Sequence, residues 1–156
     1  MEQPLKGKTA VITGGARGIG KVTALALAGA GADCALLDVL EDDLKSAAAE
    51  VAEYGVRAEG YAADVTDGEQ ITGVMKRINE AFGSVDILVN NAGITRDNLL
   101  LRMTDDEWDK VLAINLRGAF VCTRAVARYM VKQKAGRIIN IASVVGVIGN
   151  AGQCNY

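Results

Sequence analysis

The stretch "TGGARGIGK" (13–21) decides how this chain is read. It follows "TAVIT" (9–13), a compact apolar run of strand length, and it opens residues 18–30, a small-residue stretch of helical character. A glycine-rich turn between a buried strand and a helix has three readings. It can be a tight turn that merely uses glycines. It can be a P-loop: Gly15 to Gly20 and Lys21 fit G-x-x-x-x-G-K, but Val22 stands where a P-loop needs Ser or Thr to hold Mg²⁺. It can be a dinucleotide loop with the spacing G-x-x-x-G-x-G, from Gly14, Gly18 and Gly20, in place of the commoner G-x-G-x-x-G. In that last reading the backbone must approach a pyrophosphate closely at a helix N-terminus.

Outward from this loop, short β-rich runs alternate with helical ones. "CALLDV" (34–39) reads as a strand, and 41–54 as an amphipathic helix with Leu40, Leu44, Ala48, Val51 and Ala52 at helical spacing. "RAEGYAADV" (57–65) is a third strand. Thr66 and Glu69 make a capping-box pattern for a helix that buries Ile71, Val74, Met75, Ile78 and Phe82. "VDILVN" (85–90) is a fourth strand. Thr104 and Glu107 repeat the capping-box pattern ahead of a long helical region, 104–133, broken near Asn115. "GRIINIAS" (136–143) is a fifth strand. Strand–helix alternation with nearly continuous apolar strands predicts an α/β fold, a doubly wound parallel sheet of Rossmann type covered on both faces. Ligands then bind outside the carboxyl ends of the strands.

The composition narrows the chemistry. The 156 residues suit one domain (1–156), half are hydrophobic, and no internal linker or repeat is evident. A net charge of −2 argues against nucleic acid as partner, and no apolar run reaches the length of a membrane span. Cys34, Cys122 and Cys154 form neither a zinc pattern nor a disulfide framework, which suits a cytoplasmic protein. There is no histidine, so Ser-His-Asp and Cys-His hydrolysis and histidine-ligated metals are excluded, and no metal is expected. Cys154 has no histidine to generate its thiolate and reads as a small neighbour, while Cys34 and Cys122 read as core.

Polar residues recur at the predicted strand ends. Asp38 ends the second strand, 18 residues beyond Gly20, where an acid accepts hydrogen bonds from an adenosine ribose. The alternative is an acid placed favourably before a helix N-terminus. Asp64 and Val65 follow the third strand, "NNAG" (90–93) the fourth, and Ser143 the fifth, with Tyr156 13 residues later. Asn115 falls in a helical region although asparagine is a poor helix former.

These motifs, in this order and spacing, resemble the short-chain dehydrogenase/reductase family over the entire chain. The resemblance implies that Gly14, Arg17, Gly18, Ile19, Gly20, Asp38, Asp64, Val65, Asn91, Ala92 and Gly93 bind a nicotinamide dinucleotide. It implies that Tyr156 protonates the developing alkoxide, that Ser143 donates a hydrogen bond to the same oxygen, and that Asn115 holds a water of the proton relay. Ser143, Gln153 and Tyr156 would contact substrate. Within the family, "NNAGITRDNLLLRM" (90–103) and "GNAGQCNY" (149–156) are similar to reductases of 3-oxoacyl thioesters carried by acyl-carrier protein, enzymes of fatty-acid synthesis. A dehydrogenase for a sugar, polyol, steroid or acyl-CoA alcohol is the alternative within the family.

The family also places a lysine four residues after the tyrosine, to hold the nicotinamide ribose and lower the tyrosine's pKa from about 10. The sequence stops at Tyr156, and Lys21, Lys132 and Lys134 cannot be assigned that role by sequence. The expectation is therefore a C-terminally truncated domain of a longer, homotetrameric reductase, inactive by itself and without the sixth strand of the order 3-2-1-4-5-6. A non-catalytic nucleotide-binding fragment is the reading from another class. Asp38 favours NAD(H), because a 2′-phosphate about 4 Å from a carboxylate is repelled by about 1 kcal/mol even in water. Arg17 keeps NADP(H) as the alternative. Arg124, Arg128, Lys132, Lys134 and Arg137 are either a solvated face that compensates a helix C-terminus or a dock for an acidic carrier protein.

Overall fold

The computed structural model describes residues 3–156. Five strands, β1 (Thr9–Thr13), β2 (Asp33–Asp38), β3 (Ala58–Ala62), β4 (Ile87–Asn90) and β5 (Arg137–Asn140), form one sheet in the order β3-β2-β1-β4-β5. Every pairing is parallel. The order reverses between β2-β1 and β1-β4, which opens a crevice at the carboxyl ends of β1 and β4.

Alternation along the strands divides the interior in two. Val11, Ala35, Leu37 and Leu88 face one core with Ile71, Met75, Ile78 and Val126. Ala10, Ile12, Leu36 and Val89 face the other, with Ala24, Ala28, Leu44 and Val51. Helices α1 (Gly18–Gly29) and α2 (Glu41–Ala52) cover the second face, and α3 (Gly68–Phe82) and α5 (Ala119–Gln133) the first. The small residues of α1 let that helix lie close to the sheet. Near-continuous apolar strands are confined to the middle: β1 is wholly buried, whereas every residue of β5 is exposed. β5 pairs only with β4 among the described residues, so Ile138 and Ile139 lie on an open edge.

Local details correct the sequence reading. The cap of α3 is Asp67, whose carboxylate accepts from the N–H groups of Glu69 and Gln70 at 3.0 Å each. Thr66 instead donates to Asp64 from its N–H and hydroxyl, a short turn that competes with capping. Ala52 is exposed, and the buried stripe of α2 is Leu44, Ala47, Ala48 and Val51. The Thr104–Glu107 capping box is present, at the start of α4 (Asp105–Leu112). The break near Asn115 is a π-helical turn, Ala113–Gly118, that runs without interruption into α5. A short helix, α6 (Val145–Ile148), follows Ser143.

Candidate active site

The loop after β1 turns because Gly14 (φ 64°) and Gly18 (φ 53°) occupy the left-handed region. Gly20 is required for a different reason. A Cβ there would lie 2.1 Å from the Gly14 carbonyl oxygen and 2.6 Å from Asn91 Nδ2, so the first turn of α1 is pressed onto the loop. The N-cap of α1, Arg17, supplies no side-chain cap, and no acid lies in the first turn. By contrast α3 and α4 are capped by Asp67 and Thr104. A helix start with no side-chain cap and no acid in its first turn is electrostatically suited to an anion.

Thr13 organises the seam between β1 and β4. Its buried hydroxyl donates to the Val89 carbonyl (3.3 Å) and accepts from the N–H groups of Asn91 and Ala92 (3.0 Å each). Asn91 Nδ2 donates back to the carbonyls of Thr13 (3.0 Å) and Gly14 (3.2 Å), which fixes the glycine loop. Asn90 Nδ2 donates to Asn140 Oδ1 (2.8 Å) and Thr123 Oγ1 (3.1 Å), tying β4 to β5 and α5. At the end of β2, Asp38 Oδ2 accepts from the Ala16 N–H (3.2 Å) and Oδ1 from those of Val39 (2.8 Å) and Leu40 (3.3 Å). One carboxylate thus braces both the glycine loop and the entry to α2. Asp64 holds the following turn through Thr66.

The other half is set by Asn115, in the π-helical turn. Its Oδ1 accepts from the Ile94 N–H (2.8 Å) and its Nδ2 donates to the Ile94 carbonyl (2.9 Å). The side chain is therefore committed to the loop that leaves β4. Gly118 closes the same turn against Val65, whose Cγ2 would lie 2.7 Å from an added Cβ. Ser143 Oγ accepts from the Val145 N–H (3.2 Å) as α6 begins.

These residues surround one cleft of about 1030 Å³. Gly14, Arg17, Ile19, Asp38, Asp64, Val65, Asn91, Ala92, Gly93, Asn115, Ser143 and Tyr156 all line it. Gly18 and Gly20 shape the loop without lining the cleft. Gln153 does not line it either: its amide donates to the Asp97 carboxylate (3.1 Å) and accepts from Asn150 (2.8 Å). A nearby carboxylate thus holds the amide outside the cleft. Sequence reasoning missed Thr13, Asn140 and Asn155. The available signal for Thr13 and Asn140 was a polar residue ending an otherwise apolar strand. Cys34 and Cys122 are core, and burial pushes both thiols up to about 12, which makes them poor nucleophiles.

Comparison with known proteins agrees with this geometry. A family model described as short chain dehydrogenase matches residues 8–156. The chain is 45% identical over 152 residues to a 3-oxoacyl-[acyl-carrier-protein] reductase of Thermotoga maritima, covering 97% of this chain and 62% of the relative. It is 50% identical over 153 residues to the Vibrio harveyi protein of the same description, covering 97% and 61%. The chain thus spans under two thirds of the length of the curated relatives it matches. Among solved structures, an NAD⁺-bound xylitol dehydrogenase superimposes with a TM-score of 0.95 at 40% identity, covering 97% of this chain and 59% of that one. A short-chain alcohol dehydrogenase of Sinorhizobium meliloti, described as putative, gives 0.95 at 35% identity, with 100% and 62% covered.

Proposed function

The chain belongs to the short-chain dehydrogenase family, and from that premise we propose that the protein reduces a 3-oxoacyl thioester to its 3-hydroxyacyl form with NAD(H), in fatty-acid biosynthesis. One observation carries the reading. Ser143 and Tyr156, hydroxyl-bearing residues of separate segments, line the same cleft as the glycine loop and Asp38. The two curated relatives named above carry the same description, which supports an acyl group held on acyl-carrier protein, with CoA as the simpler carrier.

A nicotinamide dinucleotide suits the residues present. The loop is held open by left-handed glycines, α1 begins uncapped, and Asp38 ends the neighbouring strand. When bound, the cofactor supplies the hydride that reduces the ketone carbon. The protein's own residues handle the oxygen. Tyr156 gives it a proton, and Ser143 donates a hydrogen bond that stabilises the charge as it develops. Asn115 fixes the loop wall beside them through Ile94.

NAD(H) is favoured over NADP(H) because the Asp38 carboxylate, already fixed by three backbone N–H groups, would face a 2′-phosphate. Arg17, exposed at the cleft, is the residue that would offset the repulsion. The basic residues of α5 support a carrier dock. Arg124 stacks over Phe120 and Arg128 over Tyr129, which holds both guanidinium groups at the surface. Exposed Trp108, Leu116 and Phe120 on the α4–α5 side support assembly of the whole protein into a homotetramer. No described helix is long and apolar enough to cross a membrane, and the reading places the enzyme in the cytoplasm.

The test is a spectrophotometric panel on the full-length protein, with acetoacetyl thioesters, xylitol and steroid alcohols against both cofactors. NADH-dependent reduction of the thioester is expected to be faster than NAD⁺-dependent oxidation of xylitol or the steroid alcohols. The likeness to a xylitol dehydrogenase favours polyol oxidation as the second reading, and faster turnover of xylitol would establish it instead. Tighter binding of NADPH than of NADH would overturn the cofactor preference. Reversing the charges of Arg124 and Arg128 should slow turnover of a carrier-linked substrate more than that of a small thioester; equal losses would refute docking.

A further inference from the structure

Tyr156 is 42% exposed, yet the residue before it, Asn155, is only 4% exposed. Asn155 Nδ2 donates to two backbone carbonyls, those of Arg96 (2.9 Å) and Glu107 (3.2 Å). Two carbonyl acceptors settle the orientation of the amide, because a flipped side chain would set oxygen against oxygen. Its Oδ1 is then left with no partner among the described residues. A buried amide that leaves its acceptor unused is costly for a side chain that only fills space, so its two donated bonds call for a role.

The carbonyls that Asn155 grips belong to firmly held elements. Glu107 sits in α4, and its carboxylate accepts from the Thr104 N–H (2.8 Å) and from Asn98 Nδ2 (3.2 Å). Arg96 lies in the loop that leaves β4. The flanking residues dock on the same loop: the Asn98 N–H donates to the Gly152 carbonyl (2.9 Å), and Gln153 Nε2 to Asp97 (3.1 Å). At its other end this loop is gripped by Asn115 through Ile94. The segment Ile94–Asn98 is thus clasped by Asn115 on one side and by residues 152–155 on the other. It is the backbone link between Asn115 and Tyr156, both of which line the cleft.

We infer that Asn155 is a positioning residue: by fixing the backbone beside Tyr156 to the Ile94–Asn98 loop and to α4, it sets where the tyrosine hydroxyl stands in the cleft. The inference rests on the reductase reading. It assigns Asn155 no contact with substrate. A proton donor displaced by about 1 Å loses most of its advantage, so the effect should fall on kcat.

The experiment compares Asn155→Ala and Asn155→Ser with the wild-type full-length protein. It measures kcat and KM for an acetoacetyl thioester, the dissociation constant of NADH, and Tm. The alanine variant should lose about 10- to 100-fold in kcat, with NADH affinity within about twofold, because the glycine-loop half is untouched. The serine variant keeps one donor and should fall between. A merely structural role would lower Tm and leave the folded enzyme's kcat unchanged. A folded alanine variant with wild-type kcat, or equal losses in kcat and NADH affinity, overturns the inference. Should that variant fail to fold, wild-type kcat in the serine variant overturns it. A wild type without NADH-dependent turnover of the acetoacetyl thioester refutes the reductase reading, and the inference with it. An active wild type with unaffected variants refutes the positioning role alone.

Discussion

At the amino ends of the strands, Asp86 is surrounded by donors from its own chain: Lys8 Nζ at 3.1 Å, the Thr9 N–H at 3.0 Å and Ser84 Oγ at 2.6 Å. At the carboxyl ends, α1 begins with no cap and no acid, and Tyr156 stands half-exposed at a cleft. Both ends are polar. At one, polar groups satisfy one another and close the sheet. At the other, the chain holds its loops rigidly through Thr13, Asn91 and Asn115 while leaving donors unspent. The difference separates polar residues that stabilise the fold from those free to meet a ligand, and substitutions at the two ends should divide accordingly.

The largest effect is expected at the open end. Tyr156→Phe should lower kcat of the full-length enzyme by about 10² to 10⁴, the usual range for a proton donor. Its Tm should stay within a degree or two of the wild type's, because the residue is half-exposed. A variant that keeps a tenth of wild-type kcat would remove Tyr156 from the chemistry. Next is Gly20→Ala, where the new Cβ meets backbone that cannot swing aside. It should cost about 1–3 kcal/mol of stability by overpacking and also abolish NADH binding. If titration calorimetry finds wild-type affinity, the pressed loop is not the cofactor's cradle.

At the closed end, Asp86→Asn should cost about 1–3 kcal/mol in urea unfolding and leave NADH affinity unchanged. Its pH dependence sharpens the contrast. Burial pushes the Asp86 carboxyl up, but hydrogen bonds from Ser84, Thr9 and Lys8, with the lysine's charge, outweigh it and hold the group below the usual carboxylate range. Because the folded value lies below the unfolded one, near 3.9, the contribution is fully present above about pH 4. It is lost as pH falls through the folded value. Wild type should therefore lose stability faster than D86N below pH 4, and parallel curves would refute this account. Smallest is Thr104→Ala, which removes the α4 cap and should cost about 1 kcal/mol, read as a lower Tm with NADH binding intact.

Much of this organisation was legible in the sequence. The β1 run, the Gly14–Gly18–Gly20 spacing and the Thr104–Glu107 box act locally, so each appears where its residues predict it. Asp38 lines the cleft and also accepts the N–H groups that lead into α2, so position alone did not choose between its two readings. Thr66 failed because Asp64, two residues earlier, competes for its donors, which left Asp67 to cap α3. The break at Asn115 was visible as a poor helix former. Its π-helical form was not, because it depends on Ile94, 21 residues away, and on the fit of Gly118 against Val65. Asn155 was overlooked because its partners are remote in sequence: Arg96, in the loop after β4, is 59 residues away and Glu107, in α4, is 48.

By itself, the sequence determined the parallel sheet, the glycine loop and the residues that end each strand, because strand periodicity and glycine's left-handed freedom are properties of short segments. Only the tertiary structure decided which of those polar residues are spent on holding the frame and which remain free. Thr13 and Asn91 find partners across the β1–β4 seam and Asn115 finds its own in the loop after β4, while Arg17, Ser143 and Tyr156 are left at the cleft. The physical reason is that a hydrogen bond needs a partner within about 3 Å in space, and a residue's distant partners are set only when the chain has folded.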